Sequence, residues 1–444
     1  MERLDVIVIG TGVSGQTAAA ALADAGKRVA AVDRREFGGT CSLRGCEPKK
    51  VLFNAAEAVE RVRGQACGGV AGRAIIDWPE LIAFKRTFTE PASARIEQWL
   101  VSSGVTALHG PATFVDRDTL RVGEELLRPE HIVIASGARP APLDIPGAEL
   151  IIDSERFMAS ERLGSRIAFI GGGFVSVEFA HIAAAAGARV TILGRGPHLL
   201  SGFDPDLADL LARGYRDAGI DVRTGAAVIE VRGDGTALEA VLADGAVVAC
   251  DMVVHGAGRV PDLEALDLTA GGVGSGPRGV AVDGGMRSVS NPRVYAVGDA
   301  AASGPPLTPV GIAQARVAAR NISVAGSATF DGTIVPSAVF ADPPLASVGL
   351  RESEAAARGL DVDVRFHDSS DWVSSRRVGV RTSGAKILVE RGSDLIVGAH
   401  LLGHSAEEVI NLFALAMRCG TTATTLRESM WSYPTASYEI VDLL

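Results

Sequence analysis

Aromatic side chains are scarce in this chain, at 5% of 444 residues, while glycine is plentiful at 52. Few rings and abundant small residues suit a fold with many close-packed strand-to-turn-to-helix junctions rather than bulky cores, an α/β class. No Lys/Arg-rich run occurs and the formal net charge is -10. The electrostatic footprint of a nucleic-acid or anionic-membrane binder is therefore missing, and small-molecule partners are expected. No stretch is apolar enough to span a bilayer. Met1-Glu2-Arg3 runs directly into the strand-like Leu4 to Ile9, which leaves no room for a signal peptide and predicts a cytoplasmic protein. Cysteine is rare: Cys41, Cys46, Cys67, Cys250 and Cys419 are all there are. That usage does not make a disulfide framework, so the one close pair, Cys41 and Cys46, reads as catalytic rather than structural. The three others lack a nearby partner or basic setting and are expected to be small buried hydrophobes.

The length predicts two to four packed domains. The sequence repeats one pattern: Val6-Ile7-Val8-Ile9-Gly10-Thr11-Gly12-Val13-Ser14-Gly15, and again Ile167-Ala168-Phe169-Ile170-Gly171-Gly172-Gly173-Phe174-Val175-Ser176. Each is a β-branched strand, a glycine turn and an alanine-rich helix, followed by a second apolar strand over 28–33 or 188–195. Two nucleotide sites are implied. Glycine lets the backbone approach a pyrophosphate, and the helix N-terminus offers unpaired N–H groups and a positive dipole. In the first unit Asp33 stands at the strand end where a carboxylate meets a ribose hydroxyl. The second is less regular, with Ser176 at the third glycine position and Gly194-Arg195 in place of the acid. A cation there suits a 2′-phosphate and favours NADPH over NADH.

The runs 132–140 and 253–261 mirror each other as closing strands that end in small residues. Proline-rich joints near Pro142 to Pro146 and Gly304 to Pro309 suggest that the second domain is inserted into the first. The expected division is residues 1–150 with 263–332, residues 151–262, and a C-terminal part over 333–444. That last part has no glycine fingerprint, and its amphipathic helix, roughly Ser405 to Cys419, suits a sheet and a partner subunit.

The most specific segment is Gly38-Gly39-Thr40-Cys41-Ser42-Leu43-Arg44-Gly45-Cys46-Glu47-Pro48-Lys49-Lys50. At the start of a helix this spacing lets the two sulfurs meet, while the helix dipole and the lysines stabilise a thiolate. A metal half-site or two unrelated thiols are the alternatives, but no second cysteine pair or histidine cluster completes a metal shell.

With this segment the chain resembles the class I pyridine nucleotide-disulfide oxidoreductases, over its whole length. Val294 to Asp299 is similar to the family's second FAD motif, Leu307-Thr308-Pro309 to its flavin-edge segment, and Phe340 to Leu350 to the start of its dimerisation domain. The resemblance implies FAD- and nicotinamide-binding Rossmann-like domains plus a C-terminal α+β dimerisation domain, assembled as a homodimer. It assigns Gly10, Gly12, Ser14, Gly15, Asp33, Arg34, Gly39, Thr40, Ala112, Ser136, Gly137, Gly298, Asp299, Leu307 and Thr308 to FAD. It assigns Gly171, Gly173, Phe174, Val175, Gly194, Arg195 and Gly258 to the nicotinamide nucleotide. Cys46 would be the flavin-proximal, charge-transfer thiol and Cys41 the interchange thiol. Glu178 matches the acid that pairs with a lysine near the flavin, here Lys49 or Lys50. Phe174 stands where many members carry a mobile tyrosine; packing in the core is its other reading.

The chain departs from that family at its end. Disulfide reductases carry His-Pro-Thr with a glutamate five residues after the histidine, acting across the dimer interface. Here the segment is Tyr433-Pro434-Thr435-Ala436-Ser437-Tyr438-Glu439. An imidazole titrates near neutrality, whereas a phenol has a pKa of ~10 and serves mainly as a hydrogen-bond donor. Mercuric reductases are similar in having tyrosine there, but this chain lacks their C-terminal cysteine pair. Ala18 to Ala21 stand where glutathione reductases offer an arginine to substrate carboxylates. The expected activity passes electrons from NADPH through FAD and Cys41–Cys46 to a small disulfide or other soft electrophile. Alternatives are a quinone or dye reductase, a metal-ion reductase and a non-catalytic nucleotide sensor. Tyr433 is expected either to donate a proton near Cys41 or simply to pack at the dimer interface.

Overall fold

The computed structural model describes residues 4–235 and 237–444, with the Cys67 side chain outside the described set. The chain divides into two compact units, residues 1–50, 83–141 and 259–332 in one and residues 51–82, 142–258 and 333–444 in the other.

The first unit is built on a parallel five-stranded sheet, in the order Val294–Ala296, His131–Ile134, Val6–Ile9, Val29–Asp33, Thr106–His109. The central strand Val6–Ile9 is buried along its whole length. A strand covered on both faces needs a continuous apolar run rather than alternation, which is what the sequence has. Helix Val13–Asp24 covers one face through Ala18, Ala19 and Leu22. Helix Thr308–Ser323 packs closely beside it, because a Cβ at Gly311 would lie 2.2 Å from the Ser14 hydroxyl. The run 132–140 continues past the sheet into a short strand, Ala138–Pro140, that pairs antiparallel with Arg259–Pro261.

The second unit contains a four-stranded parallel sheet ordered Asp221–Arg223, Arg189–Leu193, Arg166–Ile170, Met252–His255. One face packs Phe169 and Ile192 against helices Phe174–Ala185 and Pro205–Asp217. The other packs Ala168, Ile170 and Leu193 beneath an antiparallel meander, Val228–Gly233, Leu238–Leu242 and Val247–Cys250. The same unit holds the antiparallel sheet Ser337–Val339, Leu345–Gly349, Ile396–Leu402, Gly384–Glu390, Val362–Asp368. The expected amphipathic helix is Ala406–Cys419, and it sets Val409, Ile410, Phe413 and Ala416 into that sheet's core. Burial of a side chain such as Phe413 contributes roughly 1.5–3 kcal/mol. Lys386, fully enclosed on this sheet, is neutralised by Asp204 at 3.1 Å, by Glu352 at 3.4 Å and by Asp206. Asp204 also caps helix Pro205–Asp217 by accepting from the Asp206 and Leu207 amides.

Candidate active site

The two thiols straddle a break between helices rather than opening one. Cys41 lies inside helix Gly39–Arg44, Gly45 interrupts it with φ -146 and ψ -110, and Cys46 begins helix Cys46–Gly64. A single continuous helix would carry the two side chains to different sides of its axis; the break lets the sulfurs approach. Thr308, the first residue of its helix, places its hydroxyl 3.6 Å from the Cys41 sulfur and 4.0 Å from the Cys46 sulfur. The Cys41 hydrogen bond, the charges of Lys49 and Lys50 and the Thr308 hydroxyl together outweigh burial and bring Cys46 down to about 6. Cys41 moves the opposite way, held protonated by its bond to Cys46, by burial and by the Cys46 charge. The thiolate therefore resides on Cys46 and the proton on Cys41.

Beside them stands the first glycine turn. Gly10 has φ +100, and a Cβ there would lie 2.3 Å from the Ala135 carbonyl oxygen. Gly12 caps helix Val13–Asp24 without a side-chain bond, and no acid sits in the first turn, so its leading N–H groups face outward for an anion. Gly39, next to Thr40, lies against Gly12: a Cβ on it would be 2.5 Å from the Gly12 Cα. Asp33 accepts from the Thr11 amide at 2.8 Å, the Thr11 hydroxyl at 2.7 Å and the Arg35 amide at 3.0 Å. Arg34 is turned to Asp262. Gly298 abuts Ser14, and burial pushes the neighbouring Asp299 carboxyl upward, opposed by Arg259. The Ser136 hydroxyl, next to Gly137, is buried with no partner among the described residues. An orphaned hydroxyl, an uncapped helix and a glycine-walled turn fit a dinucleotide such as FAD. Leu307 caps the Thr308 helix, and Ala112 is buried in strand Ala112–Phe114.

The second turn repeats the geometry. Gly171 has φ +109 and a Cβ would meet the Gly256 carbonyl oxygen at 2.4 Å; Gly173 caps helix Phe174–Ala185 without a side-chain bond. Ser176 is buried and its hydroxyl has no partner among the described residues; a Cβ on Gly256 would come within 2.0 Å of it. Gly194 donates its amide to the Arg223 carbonyl at 2.8 Å, and Arg195 beyond it is exposed. Gly258 sits at φ +112 on the facing loop, and Val175 follows Phe174 in the helix's first turn.

Residues 4–315 match the family described as pyridine nucleotide-disulphide oxidoreductase, and residues 335–444 match its dimerisation domain. The chain belongs to that family. It is 33% identical to a glutathione reductase of Burkholderia cepacia, over 99% of this chain and 98% of that protein. It is likewise 33% identical to a mycothione reductase of Mycobacterium tuberculosis, over 100% and 98%. Among solved structures, the HOCl-induced flavoprotein disulfide reductase RclA of Escherichia coli superposes with a TM-score of 0.88 at 26% identity, covering 99% of both chains. The protein is thus an FAD- and NAD(P)H-dependent oxidoreductase acting on a sulfur group, with a dimerisation domain that makes it a homodimer. No helix among the described residues is long and apolar enough to cross a membrane.

Within this family frame, several residues stand where sequence alone did not put them. Glu178 is 2% exposed and accepts the Phe340 amide at 3.0 Å, a partner no motif announced. One turn on, His181 is buried with its ring 5.9 Å from Phe53, and burial and Arg63 bring it down to about 4, a neutral imidazole. Phe174 is 45% exposed, so the core-packing reading fails: it leads its helix at the open end of the sheet. Tyr433 is 76% exposed, with its ring edge-on to Tyr438 at 4.8 Å. Burial raises Glu439, which the Ser374 hydroxyl and Arg377 partly hold down. Cys250 is a buried hydrophobe as expected, pushed up to about 11 by burial. Cys419 is exposed, correcting the expectation of burial: it ends helix Ala406–Cys419 one residue before the left-handed Gly420, past the buried face. The expectation for the Cys67 side chain lies outside the described residues. Arg259 and the sulfur contacts of Thr308 were missed. The Gly258-Arg259-Val260-Pro261 run was available as a signal for the first; nothing local announces the second.

Proposed function

We propose that this chain is an NADPH-dependent reductase of a small disulfide, working through Cys41 and Cys46. The single observation that carries the reading is the thiol pair brought together across the Gly45 break, with the Thr308 hydroxyl 3.6 Å from the Cys41 sulfur and 4.0 Å from the Cys46 sulfur. We assign the flavin to residues 1–150 and 263–332, the nicotinamide nucleotide to 151–262 and the subunit interface to 333–444. Bound FAD supplies two-electron transfer between nicotinamide and disulfide; the chain's residues do the rest. The outward N–H groups of the Gly12 helix hold the pyrophosphate, Ser136 is a further polar partner, and the Asp299 carboxyl accepts from the ribityl hydroxyls. Lys49 and Lys50 stabilise the Cys46 thiolate as it leaves the Cys41–Cys46 disulfide. Cys41, losing its proton, attacks one sulfur of the substrate, forming a mixed disulfide and expelling the first thiolate. Cys46 then attacks the Cys41 sulfur, expels the second thiolate and restores the internal disulfide. One NADPH and one proton are consumed for two thiols formed. Arg195 in place of an acid supports NADPH over NADH. The disulfide reductases among the relatives favour this reading over quinone, dye or metal-ion reduction and over nucleotide sensing. A cytoplasmic location accords with cysteines that serve redox turnover rather than structure.

Anaerobic mixing of oxidised enzyme with one equivalent of NADPH should yield two new titratable thiols per subunit, and none in Cys46→Ser. Flavin bleaching without new thiols would sink the assignment and send electrons directly from flavin to another acceptor. For Tyr433 we propose a proton-donating hydroxyl that assists the departing thiolate. Tyr433→Phe should slow turnover about tenfold with every active disulfide while leaving NADPH-driven thiol formation intact, about 1.4 kcal/mol of barrier. Unchanged turnover would leave Tyr433 a packing residue.

A further inference from the structure

We propose that the second unit carries an oxyanion site, separate from its dinucleotide turn, that takes a phosphate group, free or as a short ester. The register pairs Arg189 with Arg166 at the starting ends of adjacent parallel strands, and Leu193 with Arg223 at the other end. Side chains alternate along a strand, so Arg166, Arg189, Thr191 and Arg223 share the face on which Ala168, Ile170 and Leu193 meet the meander. Where the apolar contact gives out, a cavity of about 260 Å³ opens, lined by these three arginines, Thr191, Val248 and Cys250. Val248 and Cys250 are buried and form an apolar floor; its walls are guanidinium.

The charge on the walls is only partly satisfied. Arg166 gives Nε and one terminal nitrogen to Asp251, at 3.1 and 2.6 Å, and Arg223 pairs in the same way with Asp221 at 2.8 Å. A guanidinium has five N–H donors, so each retains three. The Arg189 side chain has no hydrogen bond or ion pair among the described residues. Three cations against two carboxylates leave a net positive cavity with planar donor forks, the chemistry that recognises phosphate oxygens. Size selects further, because pockets for drug-sized ligands run about 300–1,000 Å³. This one is sized for an oxyanion or a short ester rather than for a whole dinucleotide. Arg166 and Arg189 also begin strands whose last residues, Ile170 and Leu193, lie four residues and roughly 13 Å on, just before the glycine turn and Gly194-Arg195.

The test is calorimetric titration of the holoenzyme, saturated with NADP⁺ to fill the dinucleotide site, at ionic strength held constant with sodium chloride. Inorganic phosphate and glycerol phosphate are injected separately. One saturable site per subunit is expected, weakened at least tenfold in Arg189→Gln and still further in Arg166→Gln with Arg189→Gln. Arg189 is solvent-exposed, so the single variant should fold with an unchanged melting temperature, and Arg189→Lys should retain part of the affinity. Tighter binding of free phosphate makes the inorganic ion the ligand; tighter binding of the ester makes it a phosphorylated metabolite. Absence of saturable heat, or equal affinity in wild type and Arg189→Gln, overturns the proposal.

Discussion

The two glycine turns solve one packing problem from opposite sides. In the first unit the small residue is on the helix: Gly15 faces Ala135, and a Cβ added to it would lie 1.9 Å from the Gly10 carbonyl oxygen and 3.4 Å from the Ala135 Cβ. In the second unit the helix carries Ser176, and the strand end gives way instead, with Gly256 where the first unit has Ala135. Both turns keep their first glycine at a positive φ, +100 and +109, which a side chain would strain. Room at the turn is thus kept by different residues in the two units, not by one spelling. The strand that follows differs too: Asp33 folds its carboxylate onto its own turn, while Arg195 is left projecting.

The largest expected effect comes from writing the second unit's residue into the first. Gly15→Ser places a side chain on the Gly10 carbonyl with no compensating glycine nearby, and purified protein should carry less than about a tenth of its flavin. Overpacking alone costs typically 1–3 kcal/mol and falls here on the turn proposed to hold the flavin pyrophosphate. The flavin-to-protein absorbance ratio reads it, and full occupancy would show that the first turn is as tolerant as the second. Next, Arg195→Glu should raise the KM for NADPH ten- to a hundredfold while leaving that for NADH little changed, since a charged hydrogen bond is worth about 1.5–3 kcal/mol. Equal effects on both cofactors would remove Arg195 from the 2′-phosphate. Gly256→Ala should destabilise by about 1–3 kcal/mol, and adding Ser176→Gly should recover most of it. A denaturant double-mutant cycle with additive costs would break the pairing. The smallest effect is electrostatic. Alkylation of reduced enzyme should follow a thiolate present above about pH 6 and lost below it, in line with Cys46. Lys49→Met should move that midpoint upward by about half a unit, because removing a cation disfavours the thiolate. A downward or absent shift would mean that Lys49 does not act on Cys46.

Both turns, their strands and the close thiol pair were legible because they depend on local sequence: periodicity, glycine spacing and β-branched runs. The helix Ala406–Cys419 was legible for the same reason, since its apolar stripe is written every three or four residues. What was not legible depends on residues far apart in the chain. Thr308 reaches sulfurs more than 260 positions away, and Glu178 takes its amide from Phe340. The meander over the second unit's four-stranded parallel sheet has short strands with mixed polarity, and only the core it shares with Ala168 and Leu193 reveals its purpose. Cys419 was misread because burial was inferred from residue type, whereas position at a helix end decided it.

The contact between Ser176 and Gly256 also constrains how this sequence could have been reached. With Ser176 in place, any enlargement of Gly256 meets its hydroxyl at 2.0 Å. A lineage with glycine on the helix and alanine on the strand, as in the first unit, would have had to shrink the strand residue before the helix could accept serine. The return journey must run in the reverse order. Descent through this pair therefore has a favoured order of steps, and relatives caught midway should carry glycine at both positions more often than serine with alanine.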